Sequence, residues 1–168
     1  NTLLHQPEVR AESGVLDLRG WQFEEQPARL AGEWAFFWNE YRPPVDMTLP
    51  VLKQAPAFLP LPGVWNGMDY RGRPLPLSGR GTLALQIVVD PDSYLIKVPI
   101  LTNRYRLWIN GEPKVLDDLE EPWSTHPEAT HSGLFQVAPV GATITLVFQV
   151  VNDRHRAGGI WEPLTITT

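Results

Sequence analysis

Between Asn152 and Glu162 the sequence reads NDRHRAGGIWE, a dense run of groups that could do chemistry. Arg154 and Arg156 flank His155, two glycines follow, then Trp161 and Glu162. Arginine offers planar donors to carboxylates or vicinal hydroxyls, and tryptophan offers a face for stacking. The same run has a purely structural reading. Gly158 and Gly159 would shape a sharp corner, Trp161 would be buried as the fold closes, and Glu162 would pair with Arg154 or Arg156. Two further segments carry similar groups: residues 63–81 hold Trp65, Asn66 and Tyr70, and residues 116–132 hold Trp123, His126 and His131. With Arg154, His155 and Arg156 these are the candidate ligand contacts, polar and aromatic side chains hung on loops.

Catalysis is less well supplied. Asp17, Glu33, Asp69, Asp90, Asp117, Asp118 and Glu162 are available, but none sits in a motif that fixes a partner carboxylate. The serines lack the elbow that exposes a nucleophile, and HSG at 131–133 is only a fragment of one. His126, His131 and His155 have neither the i, i+4 helical spacing nor the alternating strand spacing of a metal site. The acidic run DDLEE at 117–121 could offer oxygens to a hard cation, but consecutive acids read as a solvated loop. No catalytic residue, metal or cofactor is therefore assigned, and the chain is expected not to be an enzyme by itself.

The elements that must position these groups are β-strands. The 168 residues have the size of one domain, with 43% hydrophobic and 20% charged residues. Seventeen prolines and thirteen glycines, dispersed along the chain, punctuate short strands. Seven tryptophans suit an aromatic-rich fold that stacks flat ligands, although packing is the default role of any one indole. A net charge of −5 with no two adjacent Lys or Arg residues argues against nucleic acid. Cysteine is absent, so there is no disulfide and no thiolate chemistry. No stretch approaches a membrane span and none reads as a signal peptide. The first residue is not Met, and the sequence is expected to be an excised or processed segment.

Residues 1–13 read as an extended lead-in and 14–168 as a single domain. VLDLRGWQF predicts a first strand, and in ARLAGEWAFFWNEY residues Trp34, Phe36 and Trp38 fall on one side with Ala35 and Phe37 on the other, a strand little wetted on either face. Residues 42–62 form a proline-punctuated crossing with one short strand near Phe58 to Leu61. Residues 63–81 read as a long loop. TLALQIVVD puts Leu83, Leu85, Ile87 and Val89 on one face, and RYRLWING does the same for Tyr105, Leu107 and Ile109. Asn110-Gly111 marks a hairpin turn. SYLIKVPI, GLFQVAPV, ATITLVFQVVN and WEPLTIT supply further strands, and no window offers a capped amphipathic helix. Eight to ten short strands predict an all-β, jelly-roll β-sandwich.

The motifs LAGEWAFFW, LPLPGVWNG, YRLWING, LVFQVVN and RAGGIWEPLTI, in this order, resemble the galactose-binding-like sugar-binding domain that precedes the catalytic barrel in family 2 glycoside hydrolases. LDLRGW at 16–21 and HRAGGIWE at 155–162 are more similar still to the extracytoplasmic N-terminal domain of bacterial seven-transmembrane receptors with diverse intracellular signalling modules. The resemblance spans residues 14–166. It implies a jelly-roll sensor domain on the periplasmic face of the inner membrane, binding a carbohydrate or related small molecule and relaying occupancy to its own transmembrane module. It also implies that Gly158, Gly159 and Trp161 are framework, leaving His155 and Arg156, on the loop before them, as the better candidates in this run for contact with ligand or with an adjoining domain. A protein-interaction module, pairing of two copies as a homodimer, and an accessory domain of a glycosidase stand as alternatives.

Overall fold

The computed structural model of the chain describes residues 6–101, 103–120, 132–152 and 158–168. In chain order its strands are β1 (Val15–Asp17), β2 (Ala28–Arg29), β3 (Gly32–Trp38), β4 (Ala57–Leu61), β5 (Gly63–Val64), β6 (Asp69–Tyr70), β7 (Arg73–Pro74) and β8 (Gly79–Val88). There follow β9 (Tyr94–Val98), β10 (Arg104–Ile109), β11 (Glu112–Leu116), β12 (Gly133–Val137), β13 (Thr143–Asn152), β14 (Gly159–Ile160) and β15 (Thr165–Thr167). Eight of these are five residues or longer, in line with the turn spacing in the sequence. The remainder are short ladders that pairing, not pattern, creates.

The larger sheet runs β11-β10-β13-β8-β3-β4. β13 pairs with β8 along its whole length, from Asn152↔Gly79 to Thr143↔Val88. The other edge of β8 is shared: β3 takes Gly81 to Ala84, and β1 lies parallel against Gln86 to Val88. The second sheet runs β12-β9-β15-β2. Leu83, Leu85 and Ile87 of β8, Ile144, Leu146, Phe148 and Val150 of β13, and Tyr105, Leu107 and Ile109 of β10 are buried. They share one core with Tyr94, Ile96 and Val98 of β9 and Ile166 of β15. Each such aliphatic or phenyl side chain contributes about 1.5–3 kcal/mol on burial. The fold is the all-β jelly-roll sandwich that period-two alternation predicts.

β3 is apolar on both faces. Trp34 and Phe36 enter the core between the sheets, while Ala35 and Phe37 join a second cluster with Met47, Leu52, Ala84 and Val147. That second cluster is roofed by a 3-10 turn at Pro44–Asp46 and a helix, α1, at Leu49–Lys53. Pro50 stands in the first turn of α1, where its missing N–H costs nothing. Five residues are too few to display helical periodicity, which is why the sequence pattern shows no helix here.

Two tight turns shape the ends of strands. Asn110 (φ 49°) and Gly111 (φ 78°) join β10 to β11, and Arg71 (φ 53°) with Gly72 (φ 84°) join β6 to β7. Two consecutive positive φ values match the twist of the flanking strands. The first turn is the Asn-Gly hairpin expected. The second lies inside the stretch expected to be loop. Ahead of β1, Ala11 is buried and bound on both sides: its N–H donates to Ala31 O, and its carbonyl accepts from the Glu33 N–H.

Gly32 and Gly111 make a matched pair for substitution. Both have positive φ, but a Cβ on Gly32 would lie 2.3 Å from Ala11 N, whereas one on Gly111 meets nothing within 4 Å. Gly111→Ala should cost about 1 kcal/mol, the backbone penalty alone. Gly32→Ala should lose upwards of about 3 kcal/mol, since backbone must also move. Urea-denaturation midpoints measure both, and equal losses would show that the approach to Ala11 is slack.

Candidate ligand cleft

One end of the sandwich gathers the chain segments of interest. β3 finishes there at Trp38 beside Gly81, β13 finishes at Asn152 beside Gly79, and β10 begins at Arg104 beside Val151. Asn39 takes positive φ (62°) and turns the chain across this rim. Its N–H donates to Arg80 O at 2.7 Å. The hydroxyl of fully buried Thr82 donates to Glu40 O at 2.7 Å and accepts from the Arg42 N–H at 2.8 Å. Gln149 Nε2 donates to Arg42 O, while its Oε1 accepts from Arg106 Nη1. Arg106 Nε donates to Asp117 O, and buried Arg104 Nη1 donates to Asp118 O at 2.8 Å. The 39–42 turn is thus fastened to β8 and β13, with Arg106 of β10 bonded in turn to Gln149, through polar atoms that burial makes costly to leave unpaired.

Against this turn lies a cleft of about 690 Å³, within the size range of small-ligand sites. Trp38, Asn39, Glu40 and Arg42 line one side, Val51, Gln54 and Pro56 the α1 side, and Tyr70 with Arg71 the hairpin side. Under it is an aromatic stack. Phe36 and Trp65 lie parallel at 5.9 Å, Trp38 meets Trp65 edge-on at 5.5 Å, and Tyr70 meets Phe36 edge-on at 6.2 Å. These contacts fix the Trp38 and Tyr70 rings relative to the core. A second concavity of similar volume, beside Val15 and Lys53, has no aromatic side chain in its lining and offers less to a flat ligand.

The sequence-derived candidates divide. Tyr70 lines the cleft. Trp65 does not reach it: the indole has no exposed surface, and it supports Trp38 and Phe36 from below. Its Nε1 has no hydrogen-bond partner among the described residues. Asn66 is structural, its Oδ1 accepting from the Gly158 N–H at 2.9 Å. Trp123, His126, His131, Arg154, His155 and Arg156 lie outside the described residues.

Gly158 and Gly159 do serve as framework. A Cβ on Gly158 would sit 2.1 Å from Trp65 Cε2, and Gly159 (φ 126°) donates its N–H to Asn103 Oδ1 while pairing with Val64. Trp161 departs from expectation, being 46% exposed beside Ile100 instead of buried. Two acids of the run DDLEE are engaged with backbone: Asp117 Oδ2 accepts from the Tyr105 N–H and Asp118 Oδ1 from the Glu120 N–H. Trp38, Asn39, Arg42 and Arg71 were absent from the sequence-derived set.

The rim also perturbs Tyr41, whose phenol is pushed up to about 12, first by burial and then by Glu120, against the opposing pull of Arg80, Arg106 and Arg104. Burial, then Asp117, raises Tyr105 as well. An ordinary phenol titrates near 10. Below that pH both states keep their protons and these groups give no pH dependence. From about 10 to about 12 the unfolded chain loses the proton first, so stability falls as pH rises. Tyr41→Phe should shallow that fall in urea-denaturation midpoints taken at about pH 9, 10 and 11. An unchanged fall would mean that the Tyr41 phenol titrates normally.

No family model matches this sequence, and no curated protein matches it. Three solved structures illustrate what the chain is similar to. A putative beta-galactosidase from Bacteroides fragilis shares 14% identity at a TM-score of 0.45, over 83% of this chain and 23% of that one. A GH2 beta-galacturonidase from Eisenbergiella tayi shares 11% at 0.47, over 89% and 26%. An FMN-binding beta-glucuronidase from Facaelibacterium prausnitzii L2-6 shares 17% at 0.43, over 79% and 22%. The chain spans about a quarter of the length of these proteins. The architecture given above stands on this chain's own strand order and register.

Proposed function

We propose that the chain is a non-catalytic binding module that holds a carbohydrate or related small polar molecule in the cleft at the Trp38 rim. The observation that carries this reading is the lining itself. A sugar presents an apolar C–H face and a ring of hydroxyls. The cleft sets Trp38 and Tyr70 beside Asn39, Gln54, Glu40 and Arg42, a hydrophobic wall with convergent donors and acceptors. The aromatic stack below and the buried polar network behind hold that lining in place, which lowers the ordering cost of binding.

The fuller reading rests on the LDLRGW and HRAGGIWE motifs. In it the module is the periplasmic sensor of a bacterial membrane receptor, and ligand occupancy is relayed to transmembrane helices outside this sequence. A hundredfold preference of the ligand for one receptor state would supply about 2.7 kcal/mol of coupling.

A thermal-shift and isothermal-titration screen of neutral and acidic mono- and oligosaccharides tests the binding reading. At about a hundredfold its dissociation constant a ligand should add about 2.7 kcal/mol, raising Tm by a few degrees. Tyr70→Ala should weaken that ligand at least tenfold, corresponding to about 1.4 kcal/mol. A folded protein that responds to no member of the panel would remove the reading.

A further inference from the structure

The cleft rim holds its positive charge in an unusual form. Three arginines there each lie over an aromatic ring: Arg42 is 4.7 Å from the Phe37 centroid, Arg71 5.3 Å from Tyr70, and Arg80 5.0 Å from Tyr41. Arg42 and Arg71 line the cleft, and Arg80 accepts at its carbonyl from the cleft residue Asn39. Arg42 has a carboxylate at hand, Glu40 at 3.5 Å. Among the described residues neither Arg71 nor Arg80 pairs with an acid. Arg29, Lys53, Arg73 and Lys97 likewise pair with no acid among the described residues, so what marks Arg71 is its place in the cleft lining with its guanidinium over the Tyr70 ring.

Stacking on a ring fixes the plane of a guanidinium and leaves its edge donors free, the geometry that receives a carboxylate through two parallel hydrogen bonds. Arg71 is held so by its backbone too. It occupies the first central position of a two-residue turn at φ 53°, a place usually taken by Asn, Asp or Gly. Arginine gains nothing there for the turn itself. Of the nearby acids, Glu40 is matched by Arg42, and Asp69 is exposed and outside the cleft lining.

We infer that the cleft selects an anionic ligand, a sugar acid or similar polyhydroxy carboxylate, whose carboxylate is held by Arg71 while its ring packs on the Trp38 and Tyr70 side. This rests on the cleft being the binding site, and deepens that reading by naming the ligand class. Arg80 stands as a second cation that raises the local anion concentration without touching the ligand.

The test is isothermal titration of the whole chain with matched pairs, D-glucuronate against D-glucose and D-galacturonate against D-galactose, as monomers and short oligomers. The acid of each pair should bind at least tenfold more tightly than its neutral partner, and the advantage should shrink between roughly 20 mM and roughly 300 mM salt. Arg71→Gln, at an exposed turn, should weaken the acid of each pair far more than its neutral partner, so that the advantage is erased, and should leave the unliganded Tm unchanged. Arg80→Gln should keep most of it. Equal affinities within each pair, or an advantage that survives Arg71→Gln, would overturn the anion selectivity and leave the cleft as a neutral-sugar site. No binding of either member to the folded protein would overturn the cleft reading itself.

Discussion

A strand that is apolar on both faces must be covered on both, and β3 imposes this condition on the rest of the molecule. Trp34 and Phe36 demand the core between the two sheets, and Ala35 and Phe37 demand a second cover outside it. The chain answers with the turn at 44–46 and the short helix α1, which press Met47 and Leu52 onto the outer face of the larger sheet. The small side chains of Ala35 and Ala84 leave room for that layer. The cleft follows from the same requirement. Its α1 side, at Val51, Gln54 and Pro56, belongs to the segment recruited to roof Phe37, and its opposite side is the continuation of β3 itself.

The rim gains its stiffness from polar chemistry of a kind usually avoided in a core. Thr82, Arg104, Gln149 and Asn152 are all buried at this end. Thr82 is bonded at both its donor and its acceptor, and Asn152 Nδ2 donates to Leu77 O at 2.7 Å. Such groups stabilise little in net terms, about 1 kcal/mol per hydrogen bond, but losing one partner costs more than the bond gave. They specify one geometry for the 39–42 turn, where an apolar filling would tolerate several.

Much of the scaffold was legible because period-two alternation is a direct trace of a sheet with one face in a core. Leu83, Leu85 and Ile87, and likewise Tyr105, Leu107 and Ile109, fall where alternation puts them. The Asn-Gly turn was legible for a similar local reason, the need for two positive φ values. α1 was not, being shorter than two turns, and neither were β5, β6, β7 and β14, which exist only through their partners. The site was legible in part. Tyr70 stood out as an aromatic in a polar stretch, but Trp65, in the same stretch, turned inward because Phe36 offered it a parallel face. Trp38 looked like the end of a buried strand, and Arg71 like one basic residue among several. Only the meeting of residues 37–42, 51–56 and 70–71 gives them a common purpose, and no spacing within one segment encodes it. The Arg-Gly pair after Tyr70 was the available signal, a two-residue turn in unusual dress.

The contact between Trp65 and Gly158 carries a consequence for how such a chain can change over time. The indole occupies the volume that any side chain at position 158 would need, with its Cζ2 2.2 Å from where a Cβ would stand. A substitution at 158 is therefore admissible only after position 65 has become smaller. A smaller residue at 65 in turn takes away the parallel face under Phe36 and the edge under Trp38. Ninety-three residues apart in sequence, the two positions behave as one heritable unit. Drift among descendants of this fold should exchange them together, and the shape of the cleft floor with them.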